Sequence, residues 1–155
     1  MLMKTMKKGF TLIELLVVIA VLGILAAVVL VAINPQARLQ DARNSGVRSD
    51  IGQIGTALEA YFTENNGAYP AALANLTADN QLKTLPTVPT GRGGTCTPAT
   101  GNYTFTTSTS GNERAVSAQL EPCGSTGYYV YWTKCGKARE ETSAPTAATA
   151  DSVTC

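Results

Sequence analysis

From Phe10 to Pro35 the chain reads FTLIELLVVIAVLGILAAVVLVAINP, and this stretch decides the fold. Leu15 to Ile33 is a run of 19 uncharged residues, apolar apart from Gly23. At 1.5 Å per residue it makes about 28 Å of helix, close to the roughly 30 Å hydrocarbon thickness of a bilayer. Lys4, Lys7 and Lys8 precede it. Positive charge before the run and a larger segment after it put the short end inside and the rest outside. A discarded secretory signal is a poorer reading, because the apolar run continues past Ala26-Ala27, a weak match to a small-residue cleavage site. Glu14 fits neither a signal nor a plain anchor. A carboxylate at the centre of a spanning helix costs about 2.5–3.5 kcal/mol, less toward the interface. Glu14 is therefore read as functional, the plainer alternative being a glutamate that reaches the headgroups.

Several constraints coincide around it. Lys7-Lys8 precede Gly9, Phe10 follows, Glu14 lies four residues beyond Phe10, and a long apolar run completes the pattern. The stretch resembles the prepilin motif of type IV pilins and pseudopilins. The resemblance implies that a prepilin peptidase cuts between Gly9 and Phe10 on the cytoplasmic side. The same enzyme would methylate the new amine of Phe10. The apolar helix would stay as membrane anchor and later as filament core. A buried charge is costly unless paired, and a buried pair is a known device for fixing register. The implied partner of Glu14 is the Phe10 amine of a neighbouring subunit, so that one stagger satisfies both charges.

Asn34-Pro35 ends the run, and a kink or break is expected at Pro35 because proline lacks the backbone N–H. Beyond it, Val47, Ile51, Ile54, Leu58 and Tyr61 recur every three or four residues and form one apolar face of a helix that should pack on a sheet. Gly46, Gly52 and Gly55 either permit close packing or mark soft points. Asn65-Asn66-Gly67 ends this helix, glycine being the usual cap.

From Glu64 to Cys155 there are ten Leu, Val or Phe residues and no Ile. So small a core calls for covalent staples. Cys96, Cys123, Cys135 and Cys155 all lie in this part, and in an exported domain they read as two disulfides. The expected pairing is Cys135–Cys155, which closes the tail as a loop, with Cys96–Cys123 stapling a long loop to a strand turn. A disulfide-closed C-terminal loop also accords with the resemblance. A short helix is expected near 71–76, a loop over 84–101, and strands over 102–107, 114–120 and 127–133 in an antiparallel meander. On the last strand Tyr128, Val130 and Trp132 face one way, Tyr129 and Tyr131 the other. The tail from Lys134 is polar and alone would be disordered, so it is expected as a loop tied back by its disulfide.

The sequence contains no histidine and its net charge is +1. Ser–His, Cys–His and histidine-metal chemistry are therefore excluded. No paired acids form a credible site, so the chain is not expected to be an enzyme, and no cofactor or metal is expected. Lys134, Lys137 and Arg139 form a small basic cluster; contact with DNA is a weaker reading of it than a solvated loop.

The expected fold is α+β: one long N-terminal helix carrying a small antiparallel sheet. The expected organisation is a cleaved leader (1–9), an apolar transmembrane and filament-core helix (10–34), an amphipathic helix (35–66) and a small β-rich head with a disulfide-closed C-terminal loop (67–155). The resemblance implies a structural subunit of a type IV pilus-like helical filament. It would be a homo-oligomer that meets a prepilin peptidase and a pilus assembly platform. It would reside in the inner membrane as a precursor and outside the cell as a filament. The same-family alternative is a pseudopilin of a type II secretion or competence apparatus; the other is a signal-anchored surface binding domain.

Overall fold

The computed structural model describes residues 9–93, 95–124 and 127–155. Lys4, Lys7 and Lys8, which precede the apolar run, lie outside the described residues. The elements in chain order are α1 (Leu12–Ile33), α2 (Pro35–Glu64), α3 (Asn75–Ala78), β1 (Thr104–Thr107), β2 (Arg114–Gln119), β3 (Tyr128–Trp132), β4 (Lys137–Glu141) and α4 (Ala147–Ser152), with a 3-10 turn at Thr133–Cys135. The chain divides into two compact units, one up to Arg38 and one of Leu39–Cys155.

In the first unit, α1 ends where Asn34 takes a left-handed conformation, φ 44°. Asn34 also starts the next helix: its carbonyl and its Oδ1 both accept from the Ala37 N–H, at 3.1 and 3.4 Å. Pro35 is the first residue of α2, where its missing N–H costs nothing. The helix therefore breaks at Asn34, and proline restarts it.

The second unit is built on α2. Val47, Ile51, Ile54 and Leu58 are fully buried. Each such side chain is worth roughly 1.5–3 kcal/mol relative to exposure. The helix ends at a glycine cap: Gly67 has φ 82°, and its N–H donates to the Phe62 carbonyl at 2.9 Å. Four antiparallel strands form one sheet in the order β1-β2-β3-β4. Its central strand β2 is buried along its whole length. The register pairs Val116 with Tyr131 and Ala118 with Tyr129. This face, with Phe105 and Ala138, packs against the apolar face of α2. The opposite face carries Ala115, Val130 and Trp132, and Ala150 of α4 closes over it.

The three expected strands are present, each trimmed by a residue or two. The first connection is a turn closed by Ser108 N–H on Glu113 O (3.0 Å), with Gly111 at φ 78°. The second is closed by Leu120 N–H on Gly127 O (2.8 Å), and its residues 125 and 126 lie outside the described residues. Two expectations are corrected. The short helix lies at Asn75–Ala78 rather than 71–76. The tail is not merely a loop: Lys137–Glu141 adds a fourth strand and Ala147–Ser152 a short helix. The β4 sequence KAREE lacks the apolar alternation of a half-buried strand because it is an edge strand, exposed at most positions.

Candidate functional site

The N-terminal site is built by one local device. Thr11 is the N-cap of α1, in extended conformation at φ −85° and ψ 150°. Its Oγ1 accepts from the Glu14 backbone N–H at 3.3 Å. Its backbone N–H and its hydroxyl both donate to Glu14 Oε2, at 2.8 and 2.6 Å. This reciprocal capping box fixes the helix start at Leu12. Gly9 and Phe10 consequently precede the helix and are exposed, and nothing lies within 4 Å of where a Cβ on Gly9 would stand. The signal for this capping box was present as Thr-x-x-Glu ahead of an apolar run.

Among the described residues of the first unit, nothing covers the apolar surface of α1. None of its residues is buried; exposure runs from 47% at Val18 to 84% at Val31, with Phe10 at 79%. A helix this apolar on every side is stable only where lipid or other helices cover it. By length and composition it can cross a membrane.

In the second unit the cysteines pair as Cys96–Cys123 and Cys135–Cys155. Cys96, Glu121 and Cys123 place their donor atoms within 4.8 Å of one another, but the two sulfurs are bonded to each other. Glu121 instead holds the 84–101 loop against α2. Its carboxylate accepts from Arg43 at 3.1 Å and from the Gly93 N–H at 3.0 Å. Asn44 grips the Glu121 backbone twice, donating to its carbonyl and accepting from its N–H, each at 2.8 Å. Buried Arg92 donates to the carbonyls of Pro98 and Gln119, and burial lowers its pKa.

A carboxylate also anchors the tyrosines under the sheet. Glu59 accepts from Tyr69 at 3.1 Å and from Tyr131 at 3.0 Å, and Asp50 accepts from Tyr103 at 2.7 Å. Burial, then the adjoining carboxylate, raises the pKa of all three phenols. These contacts tie α2 to the segments that pack on it.

In the basic cluster of the tail one side chain of the three is paired with a carboxylate. Lys134 donates to the Asp151 carbonyl at 2.6 Å, and Arg139 pairs with Glu141 at 2.5 Å. Lys137 stays exposed, and Glu140 and Glu141 share its strand.

A family model described as the prokaryotic N-terminal methylation motif matches residues 4–30. The type IV major fimbrial protein FimA of Dichelobacter nodosus is 49% identical over 68 residues, 43% of this chain and 41% of that protein. The type II secretion system core protein G of Pseudomonas aeruginosa is 36% identical over 101 residues, 55% of this chain and 69% of that protein. The core protein G of Pectobacterium carotovorum is 40% identical over 82 residues, 53% and 49% of the two chains. The chain spans about two fifths of the length of the fimbrial relatives it matches. No solved structure matches it.

Proposed function

The chain belongs to the type IV pilin and pseudopilin family, and on that premise we propose that it is the structural subunit of a type IV pilus-like filament. The observation that carries this reading is α1: a 22-residue apolar helix, capped at its start, with none of its residues buried. In the precursor, lipid of the inner membrane covers it. In the filament, the α1 helices of neighbouring subunits cover one another.

Cleavage between Gly9 and Phe10 by a prepilin peptidase removes residues 1–9 and creates an amine on Phe10, whose methylation keeps its positive charge. The exposed, non-helical Gly9-Phe10 segment supports this assignment, since a protease cleft takes an extended chain. The Phe10 amine then pairs with Glu14 of a neighbour, which selects one stagger of the packed helices. Residues 10–34 supply the filament core, 35–66 the helical support of the head, and 67–155 the head itself. The partners are further copies of the chain, the peptidase and an assembly platform.

A second reading rests on a specific observation: the match to core protein G of Pseudomonas aeruginosa extends over 101 residues, further than the fimbrial matches. It assigns the chain to a short secretion pseudopilus rather than a surface fibre. One experiment separates the readings: N-terminal peptide mass spectrometry on material sheared from cells and on the membranes left behind. Methylated Phe10 abundant in the sheared fraction supports the pilin. Methylated Phe10 confined to membranes supports the pseudopilin. An uncleaved chain in the membrane would leave a signal-anchored domain and sink both. Within the family reading, Glu14→Ala is expected to be processed yet to assemble poorly; wild-type filament yield from that variant would overturn the register role.

A further inference from the structure

The second face of the sheet is covered by the chain's own last residues. After β4, the segment 142–155 returns over Ala115, Val130 and Trp132, and Cys155 is bonded to Cys135 in the turn that follows β3. The two cysteines are 20 positions apart.

This segment has little to hold it apart from that bond. Its buried side chains are Pro145 and Ala150, and Val153 is half-buried. It does not fill the space beneath it: a half-open cavity of about 200 Å³ remains, lined by Trp132, Arg139, Glu141, Pro145, Ser152 and Val153. A lining without partner atoms forfeits its dispersion contacts. The remaining ties are polar and mostly at the surface. Ser110 donates to the Asp151 carboxylate twice, from Oγ at 2.5 Å and from its backbone N–H at 3.2 Å; Lys134 donates to the Asp151 carbonyl at 2.6 Å, Arg139 to the Thr154 carbonyl at 2.8 Å, and Thr109 N–H to the Ala147 carbonyl at 3.3 Å. At the surface, water replaces such bonds at small net cost.

The α2 side of the sheet differs in kind. Four aliphatic side chains are fully buried there. The other disulfide, Cys96–Cys123, ties a different pair of segments, the 84–101 loop and the turn after β2.

We propose that residues 142–155 are a strap whose closure depends on the Cys135–Cys155 bond, so that a dithiol reductant opens it and uncovers Val130, Trp132 and Ala115 while the core between α2 and the sheet stays folded. The dithiol supplies two electrons and two protons. The S–S bond breaks, Cys135 and Cys155 become thiols, and the reductant leaves as its own disulfide. Without the bond, the entropy of closing the loop falls on a few exchangeable contacts. The thiol state of this pair thereby decides whether the head presents a sealed second face or an apolar, aromatic one. The inference concerns Leu39–Cys155 alone and is independent of filament assembly.

Trp132 is the sole tryptophan of the chain and only 4% exposed, so its emission reports the strap. The test compares the full chain in detergent micelles with Cys135→Ser/Cys155→Ser and with Cys96→Ser/Cys123→Ser. Opening is expected in the first variant as red-shifted emission, several-fold stronger acrylamide quenching and protease cleavage between 142 and 155, with the far-UV spectrum of the wild type. A dithiol reductant added to the folded Cys96→Ser/Cys123→Ser variant, whose one remaining disulfide is Cys135–Cys155, should reproduce it, which keeps the test available if the first variant folds poorly. Unchanged emission after either treatment overturns the proposal, since the strap then holds without its bond. Simultaneous loss of the far-UV signal also overturns it, because strap and core are then one cooperative unit. The same emission shift in unreduced Cys96→Ser/Cys123→Ser would assign closure to the wrong bond and end it too.

Discussion

α1 and α2 are both helices that carry valine, isoleucine and leucine, yet one hides four such side chains completely and the other hides none. The distribution around the helix makes the difference. On α2 four of the five aliphatics, at 47, 51, 54 and 58, form one stripe that a sheet of the same chain covers, and only Leu39 is left exposed. On α1 they occupy every side, and no single layer of a 155-residue chain can enclose such a rod. How apolar residues are spread, rather than how many there are, tells whether a helix is covered from within its chain or from outside it.

The sharpest break of this comparison is one truncation in each helix. Ile54→Ala should cost the head about 2–5 kcal/mol through lost burial and a residual cavity. Thermal unfolding of the detergent-solubilised chain, followed by near-UV circular dichroism, would show it as a lowered midpoint. Leu22→Ala should leave that midpoint where it is and lower filament yield instead. A matching drop from Leu22→Ala would mean that α1 supports the head after all.

A second pair of variants divides the two sides of α2 itself. A Cβ on Gly55 would stand 2.5 Å from the Tyr131 ring, whereas one on Gly52 would meet nothing within 4 Å. Gly55→Ala should therefore destabilise by about 1–3 kcal/mol, as overpacked sites do. Gly52→Ala should gain up to about 1 kcal/mol from helix propensity. Equal midpoints for the two would show that Tyr131 moves aside freely, and the close approach of α2 to the sheet would lose its explanation.

The same contrast sets what the sequence made legible. The apolar run, the face of α2, the glycine cap at Gly67 and the three apolar strands all announce themselves through periodicity or turn chemistry. β4 does not, because an edge strand exposed on most positions has no pattern to show, and its pairing with β3 comes from position rather than composition. α4 is hidden likewise: Ala-Ala-Thr-Ala-Asp-Ser reads as a polar linker until Thr146 and Thr149 cap it and Ala150 meets the sheet. At the N-terminus Glu14 was legible as an oddity, but its hydrogen bonds to Thr11 required the i, i+3 geometry of a helix start. The Asn44–Glu121 clamp, 77 positions apart, had no local signal at all.

A smaller effect is expected at alkaline pH and belongs to the α2 side of the sheet. Tyr69, Tyr103 and Tyr131 are held neutral by burial and by Glu59 or Asp50, so their folded pKa values lie above the unfolded value of about 10. Groups raised on folding contribute stability in full below the unfolded pKa and lose it as pH rises. The head should therefore stay at full strength to about pH 10 and weaken steadily above it. Phenolate absorbance from these three should appear together with unfolding. A single titration near pH 10 with the fold intact would mean that the phenols are not enclosed.

The smallest expected effect lies at acid pH and on the strap side. Hydrogen bonds from Ser110 hold the Asp151 carboxylate below its ordinary pKa. A group lowered on folding contributes stability above its unfolded pKa, about 3.9, and loses it as pH falls through the folded value. Protonation of this surface group should therefore loosen the strap slightly while leaving the buried face of α2 untouched. Acrylamide quenching of Trp132 should rise modestly as pH drops below about 4, with the near-UV tyrosine signal unchanged. Asp151→Asn keeps an acceptor for Ser110 but cannot titrate, so it should flatten that rise. If the variant follows the wild-type curve, the acid sensitivity originates elsewhere, and Asp151 is only a passenger on a strap held by its disulfide.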